Sequence, residues 1–162
     1  SISIMDKIIQ SVENDKNNFD LDQLQFQFSK RNSKVSTTDA ITSAAYTIAK
    51  NAEAKAIVTF AVSGKTTMRM AKERAPVLVI ALSPYIKTAR KTQLAWGVYS
   101  SHCKQDAQNT TEMVRIACTT IKDKKLAKSG DAIVITAGVP FGNAGSTNLL
   151  RIAKIIDDKD LT

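Results

Sequence analysis

Short apolar runs rich in β-branched residues, separated by segments of helix length, constrain this chain more than any other feature. Residues 56–62 read Ala-Ile-Val-Thr-Phe-Ala-Val. A continuous run of this kind, rather than strict alternation, suits a strand buried on both faces. Ser63-Gly64 breaks the run and 65–73 can form a helix. A second strand is predicted over 77–82. Ser83-Pro84 then supplies a cap and a proline at the first helical position, opening a helix to about Trp96. Residues 97–100 read as a third strand. Asn109 and Glu112 have capping-box spacing ahead of a helix carrying Met113, Ile116, Ala117 and Ile121, which Ser129-Gly130-Asp131 ends. Residues 132–137 and 149–156 are the last two strands. Strands alternating with helices imply βαβ crossovers. The predicted fold class is therefore α/β: three layers, α/β/α, around a mostly parallel five-stranded sheet whose last strand is antiparallel.

The N-terminal part is organised differently. Ile4, Ile8 and Val12 repeat every four positions, with Met5 and Ile9 widening the stripe, which predicts an amphipathic helix. Starting at Ser1 in mid-helix, the chain reads as a fragment of something longer. From 14 to 36 the composition shifts to Asn, Asp, Gln, Ser and Lys, with Phe19, Phe26 and Phe28 scattered through it. That reads as a linker docking a few aromatics. Thr37-Thr38-Asp39 offers N-caps for a helix with Ile41, Ala44, Ala45, Ile48 and Ala49 on its apolar face. The expected division is a preceding helix over 1–16, a linker over 17–35 and one domain over 36–162.

Charge narrows the search for a site. The chain is 162 residues long with a net charge of +8. Nine basic residues and two acids lie between Lys50 and Lys91, so this segment carries +7 of the total. Solvated basic helix faces account for much of it, yet the focus marks a place to seek an anion site. The longest continuous apolar run, 77–82, is far short of the roughly 20 residues of a membrane span. Two cysteines, Cys103 and Cys118, are too few for a disulfide framework, and a reducing cytoplasm is the expected compartment.

In open α/β sheets, ligands bind beyond the carboxyl ends of the strands, where helix N-termini present backbone amides. Two loops fall there. In the first, Ser63, Gly64, Lys65, Thr66 and Thr67 combine close backbone approach, hydroxyl donors and one cation: a phosphate cradle with no base or nucleophile. A plain strand-to-helix turn with a capping serine is the alternative. The end of a Walker A motif fits Gly64-Lys65-Thr66, but its first glycine would fall on Thr59. The second loop, 138–148, holds Gly142, Asn143, Ala144, Gly145, Ser146 and Thr147, a composition suited to folding over an anion. A long hairpin-like connection would look the same.

Other candidates are weaker. His102 is the only histidine, which excludes multi-histidine metal sites. Cys118 sits on an apolar helix face, Trp96 and Tyr99 read as packing residues, and Asp106, Asp123 and Asp131 fall at loops and caps. No catalytic set and no metal site is expected in this chain.

At these loops the chain resembles the C-terminal domain of pyruvate kinase. The resemblance rests on Val-Ser-Gly-Lys-Thr at 62–66, Trp-Gly-Val-Tyr at 96–99, Thr-Thr-Asp-Ala-Ile at 37–41, and the stretch 130–152 with its Ile-Thr-Ala-Gly-Val-Pro core. It covers about 36–156, and residues 1–16 resemble the helix that closes the family's catalytic barrel. The resemblance implies a parent enzyme that transfers phosphate from phosphoenolpyruvate to ADP, with Mg2+ and K+ bound in a catalytic barrel outside this chain. It implies that this domain holds a phosphorylated effector and contributes to a homotetramer. Effector phosphate would map onto Ser63, Gly64, Lys65 and Thr66, and the closing loop onto Gly142 to Thr147. Animal and yeast relatives that bind fructose 1,6-bisphosphate usually have Arg where this chain has Lys65, and use a Trp and an Arg ahead of the last helix that have no match between Ser101 and Met113. The candidate effectors are thus fructose 1,6-bisphosphate, ribose 5-phosphate, glucose 6-phosphate and AMP. An oligomerisation domain without effector is one alternative. A basic nucleic-acid-binding module is another, without a motif or the aromatic interleaving of single-strand binders; neither nucleic acid nor membrane is an expected partner.

Overall fold

A computed structural model describes residues 2–15, 36–75, 77–104, 106–142 and 147–156. The linker, with Phe19, Phe26 and Phe28, lies outside the described residues, as do Asn143, Ala144, Gly145 and Ser146. The chain divides into two units, 1–35 and 36–162. In the first, α1 (Ile2–Glu13) is the helix that the Ile4, Ile8, Val12 repeat predicts.

The second unit runs α2 (Thr37–Asn51), β1 (Ala56–Phe60), α3 (Lys65–Lys72), β2 (Leu78–Ser83), α4 (Ile86–Thr92), β3 (Val98–His102), α5 (Thr110–Asp123), β4 (Ala132–Gly138) and β5 (Thr147–Lys154). The strand order is β3-β2-β1-β4-β5. β1 pairs parallel with β2 (Val58 opposite Ile80) and with β4 (Val58 opposite Ile135). β5 returns antiparallel along β4, with Val134 opposite Ile152. The chain steps outward from β1 to β3, then α5 carries it back across to β4 on the other side of β1. The order therefore reverses between β1 and β4, the switch point where α/β sheets open a crevice beyond their carboxyl ends.

Continuous apolar strands fill both faces. On one face Val58, Ile80, Leu82 and Ile135 pack against Met113, Ala117, Cys118 and Ile121 of α5. On the other, Ile57, Val79, Ala81 and Val134 meet Ala45 and Ala49 of α2 and Met70 of α3. Each fully buried Ile, Leu or Met side chain contributes about 1.5–3 kcal/mol relative to an exposed one.

Boundaries differ from the sequence reading where side chains compete for the backbone. α2 is capped by Ser36, not by Thr37, Thr38 or Asp39: Ser36 Oγ accepts from the Asp39 amide at 3.2 Å, and the Asp39 carboxylate accepts from the Ser36 amide. Ser83 is the buried last residue of β2, where its hydroxyl oxygen accepts from the Tyr85 amide at 3.2 Å. α4 accordingly starts at Ile86. It ends at Thr92 instead of Trp96, since the Gln93 carboxamide oxygen takes the Ser100 amide and the chain turns into β3. α5 stops at Asp123, well before Gly130, with Lys125 left-handed at φ 55° and the Leu126 amide bonded back to Ile121 O.

Candidate effector cleft

The turn after β1 is fixed from beneath. The Ala61 amide donates to Leu82 O at 2.8 Å, and Thr88 of α4 donates its hydroxyl to Val62 O at 2.9 Å. Gly64 is left-handed, with φ +78°, and a Cβ there would stand 2.8 Å from Thr92 Cγ2. Glycine is required on both counts. Gly64 also begins α3 and offers no side chain to cap it. The positive end of the helix dipole is thus left for an external anion. Lys65, the first helical residue, is exposed and has no ion-pair partner among the described residues.

The described ends of the second loop lie beside the first. Gly138 pairs with Thr147 across the β4–β5 ladder. Asn148 clamps the loop's base: its carboxamide oxygen accepts from the Val139 amide at 2.8 Å and its NH2 donates to Val139 O at 2.6 Å. The Thr66 and Thr147 hydroxyls share a hydrogen bond of 2.5 Å between the loops. Between them lies a cleft that is open to solvent. Ser63, Gly64, Lys65 and Thr66 line one side; Gly138, Gly142 and Thr147 line the other. Phe60 and Phe141 add aromatic surface, and Asp106 adds a carboxylate.

Of the residues singled out from sequence, Ser63, Gly64, Lys65, Thr66, Gly142 and Thr147 share this one cleft. Thr67 does not: it is fully buried, and its hydroxyl lies 2.7 Å from that of Thr59, equally buried on β1. Thr67 anchors α3 to the sheet, and Thr59, where a Walker A motif would need glycine, is its partner. Sequence reasoning misses Asp106 and Phe60 as parts of the site, and places Phe141 and Asn148 in the second loop without giving either a role. Asp106 lies after β3, two strands away from β1, and only the crossover to β4 brings that loop over the cleft. Its neighbour Ala107 is fully buried in the core, which pins the loop there.

Among the described residues, the cleft holds hydroxyls, one ammonium, one carboxylate and helix-end amides. That set can bind and orient an anion. Cys103, near Asp106, has its pKa raised, first by burial and then by the Asp106 carboxylate, so it stays a neutral thiol at pH 7. Cys118 is raised by burial as well. No group of three His, Cys, Asp or Glu side chains among the described residues could hold a metal ion, and no described helix is long and apolar enough to cross a membrane.

Comparison with known proteins shows the family of the domain. The family model described as pyruvate kinase, alpha/beta domain, matches residues 39–153. A pyruvate kinase of Methylorubrum extorquens is 35% identical over 153 residues, covering 94% of this chain and 31% of that protein. One from Geobacillus stearothermophilus is 39% identical over 127 residues, covering 78% of this chain and 22% of that protein. Cryptosporidium parvum pyruvate kinase, solved in complex with ADP, superposes with a TM-score of 0.74 over 85% of this chain and 27% of its own; at 23% identity it speaks for the fold. The chain spans about a third of the length of the Methylorubrum relative.

Proposed function

The chain belongs to the pyruvate kinase family through its alpha/beta domain, and on that premise we propose that the β1–β4 cleft binds a phosphorylated effector of the parent enzyme. One observation carries the reading. Two loops 81 positions apart converge on a single cleft, joined by Thr66 and Thr147. One side of it has an uncapped helix start and an ammonium without an ion-pair partner among the described residues. Phosphate suits that arrangement because helix-end amides and Lys65 supply positive potential while Ser63 and Thr66 supply hydroxyl donors.

The parent enzyme would transfer phosphate from phosphoenolpyruvate to ADP, with Mg2+ and K+ held by a catalytic barrel outside this chain. An effector bound here acts by favouring one state of that enzyme over another, and only to the extent of its differential affinity. Titration calorimetry with fructose 1,6-bisphosphate, ribose 5-phosphate, glucose 6-phosphate and AMP tests the reading. At least one should bind, and Lys65→Ala should weaken it; no binding by any, with Lys65→Ala indistinguishable, rejects it.

A contribution to a homotetramer is a second part of the proposal. β5 is an edge strand with Ile152 52% exposed, and an open edge bearing an apolar side chain is a natural pairing surface. Sedimentation of the wild type against Ile152→Lys separates an assembling from a monomeric domain.

A further inference from the structure

We infer that Asp106 sets the ligand specificity of the cleft, admitting a monophosphate ester that offers hydroxyl groups and excluding a second phosphate. The inference rests on the effector reading above. Lys65 and the start of α3 give the cleft one cationic side, and no second Lys or Arg lines it among the described residues. The other ionisable group in its wall is Asp106. One oxygen of that carboxylate accepts from the Ala107 amide at 3.0 Å, and the Gln108 carboxamide donates to the Asp106 backbone carbonyl at 3.3 Å. The second carboxylate oxygen has no partner among the described residues.

The Ala107 amide orients the carboxylate, because Ala107 itself is immobilised in the core. An oriented carboxylate with a free oxygen accepts hydrogen bonds from ligand hydroxyls, and charge-assisted bonds of this kind are stronger than neutral ones. The same charge repels a phosphate placed beside it, and like-charge juxtaposition is a common means of rejecting a wrong ligand. Phe60 and Phe141, which also pack against the core, add apolar lining beside the body of the ligand. A phosphorylated polyol satisfies every group in the cleft; a bisphosphate leaves one end opposed.

The test compares ribose 5-phosphate, fructose 1,6-bisphosphate and inorganic phosphate, titrated calorimetrically into wild type, Asp106→Asn and Lys65→Ala in EDTA, so that no divalent cation bridges carboxylate and phosphate. Asn keeps the oxygen that accepts from Ala107 and removes the charge; an unchanged melting temperature verifies folding. The wild type should prefer ribose 5-phosphate. Asp106→Asn should weaken ribose 5-phosphate and strengthen fructose 1,6-bisphosphate, moving their affinity ratio by about tenfold or more, with inorganic phosphate unmoved. If the esters bind through Lys65 but Asp106→Asn leaves their ratio unchanged, Asp106 has no such role and the effector reading stands. If no ester binds the wild type, both fall.

Discussion

The hydroxyls of Thr66 and Thr147 lie 2.5 Å apart across 81 positions of sequence, one on the first turn of α3 and the other at the start of β5. This bond is what makes two loops into one cleft. It ties a helix end on one side of the β1–β4 switch point to the strand that returns along β4.

A double-mutant cycle measures the bond. Thr66→Val and Thr147→Val should each destabilise the chain in urea denaturation, and the pair should show a coupling of about 0.5–1.5 kcal/mol. Additive losses would mean that the loops close independently.

Gly64 tolerates no side chain. Its positive φ and the 2.8 Å approach that a Cβ would make to Thr92 Cγ2 act together. Gly64→Ala should cost about 2 kcal/mol or more in stability. The companion Gly64→Ala, Thr92→Ser, which removes the clashing methyl, should recover part of this and leave the cost of the left-handed backbone.

Asn148 holds the second loop from both sides of the Val139 peptide. Asn148→Ala removes both bonds, and because the residue is exposed the stability loss should stay near about 1 kcal/mol. Hydrogen exchange is the sharper measure: the Val139 amide should lose protection while amides in the β1–β2 ladder keep theirs.

Strands buried on both faces announce themselves in the sequence as unbroken runs such as 56–62, and Ser63-Gly64-Lys65-Thr66 is a local pattern at a strand's carboxyl end. What sequence misplaces has a common cause. Ser83 and Gln93 shift the ends of α4 through side-chain bonds, among them those to the Tyr85 and Ser100 amides, that no periodicity encodes. Adjacency groups Thr67 with Thr66, yet one step along a helix turns a side chain by about 100°, here from the cleft into the core. Asp106 does not stand out in the sequence because its place over the cleft depends on the crossover from β3 to β4. The concentrated positive charge also has a more mixed origin than sequence suggests. Arg69 pairs with Asp39 at 3.1 Å and Arg74 stacks over Trp96 at 4.3 Å, which leaves Lys65 as the cation at the cleft.

The two cysteines give a pH-dependent readout of the same architecture. Burial raises both pKa values above the ordinary 9.0, and for Cys103 the Asp106 carboxylate adds to the rise. A folded-state pKa above the unfolded value contributes stability that is fully present below about pH 9 and is lost as pH rises through the folded value. Stability should therefore fall in the alkaline range, less steeply in Cys118→Ala than in the wild type. Asp106→Asn should do something specific: with the neighbouring charge gone, the Cys103 pKa drops and more thiolate is present at any given pH. Alkylation of Cys103 by iodoacetamide at about pH 8 should then be faster in Asp106→Asn, with Cys118, 2% exposed, unreactive in both. Equal Cys103 rates would mean that the Asp106 carboxylate does not act on Cys103 across the β3–α5 loop.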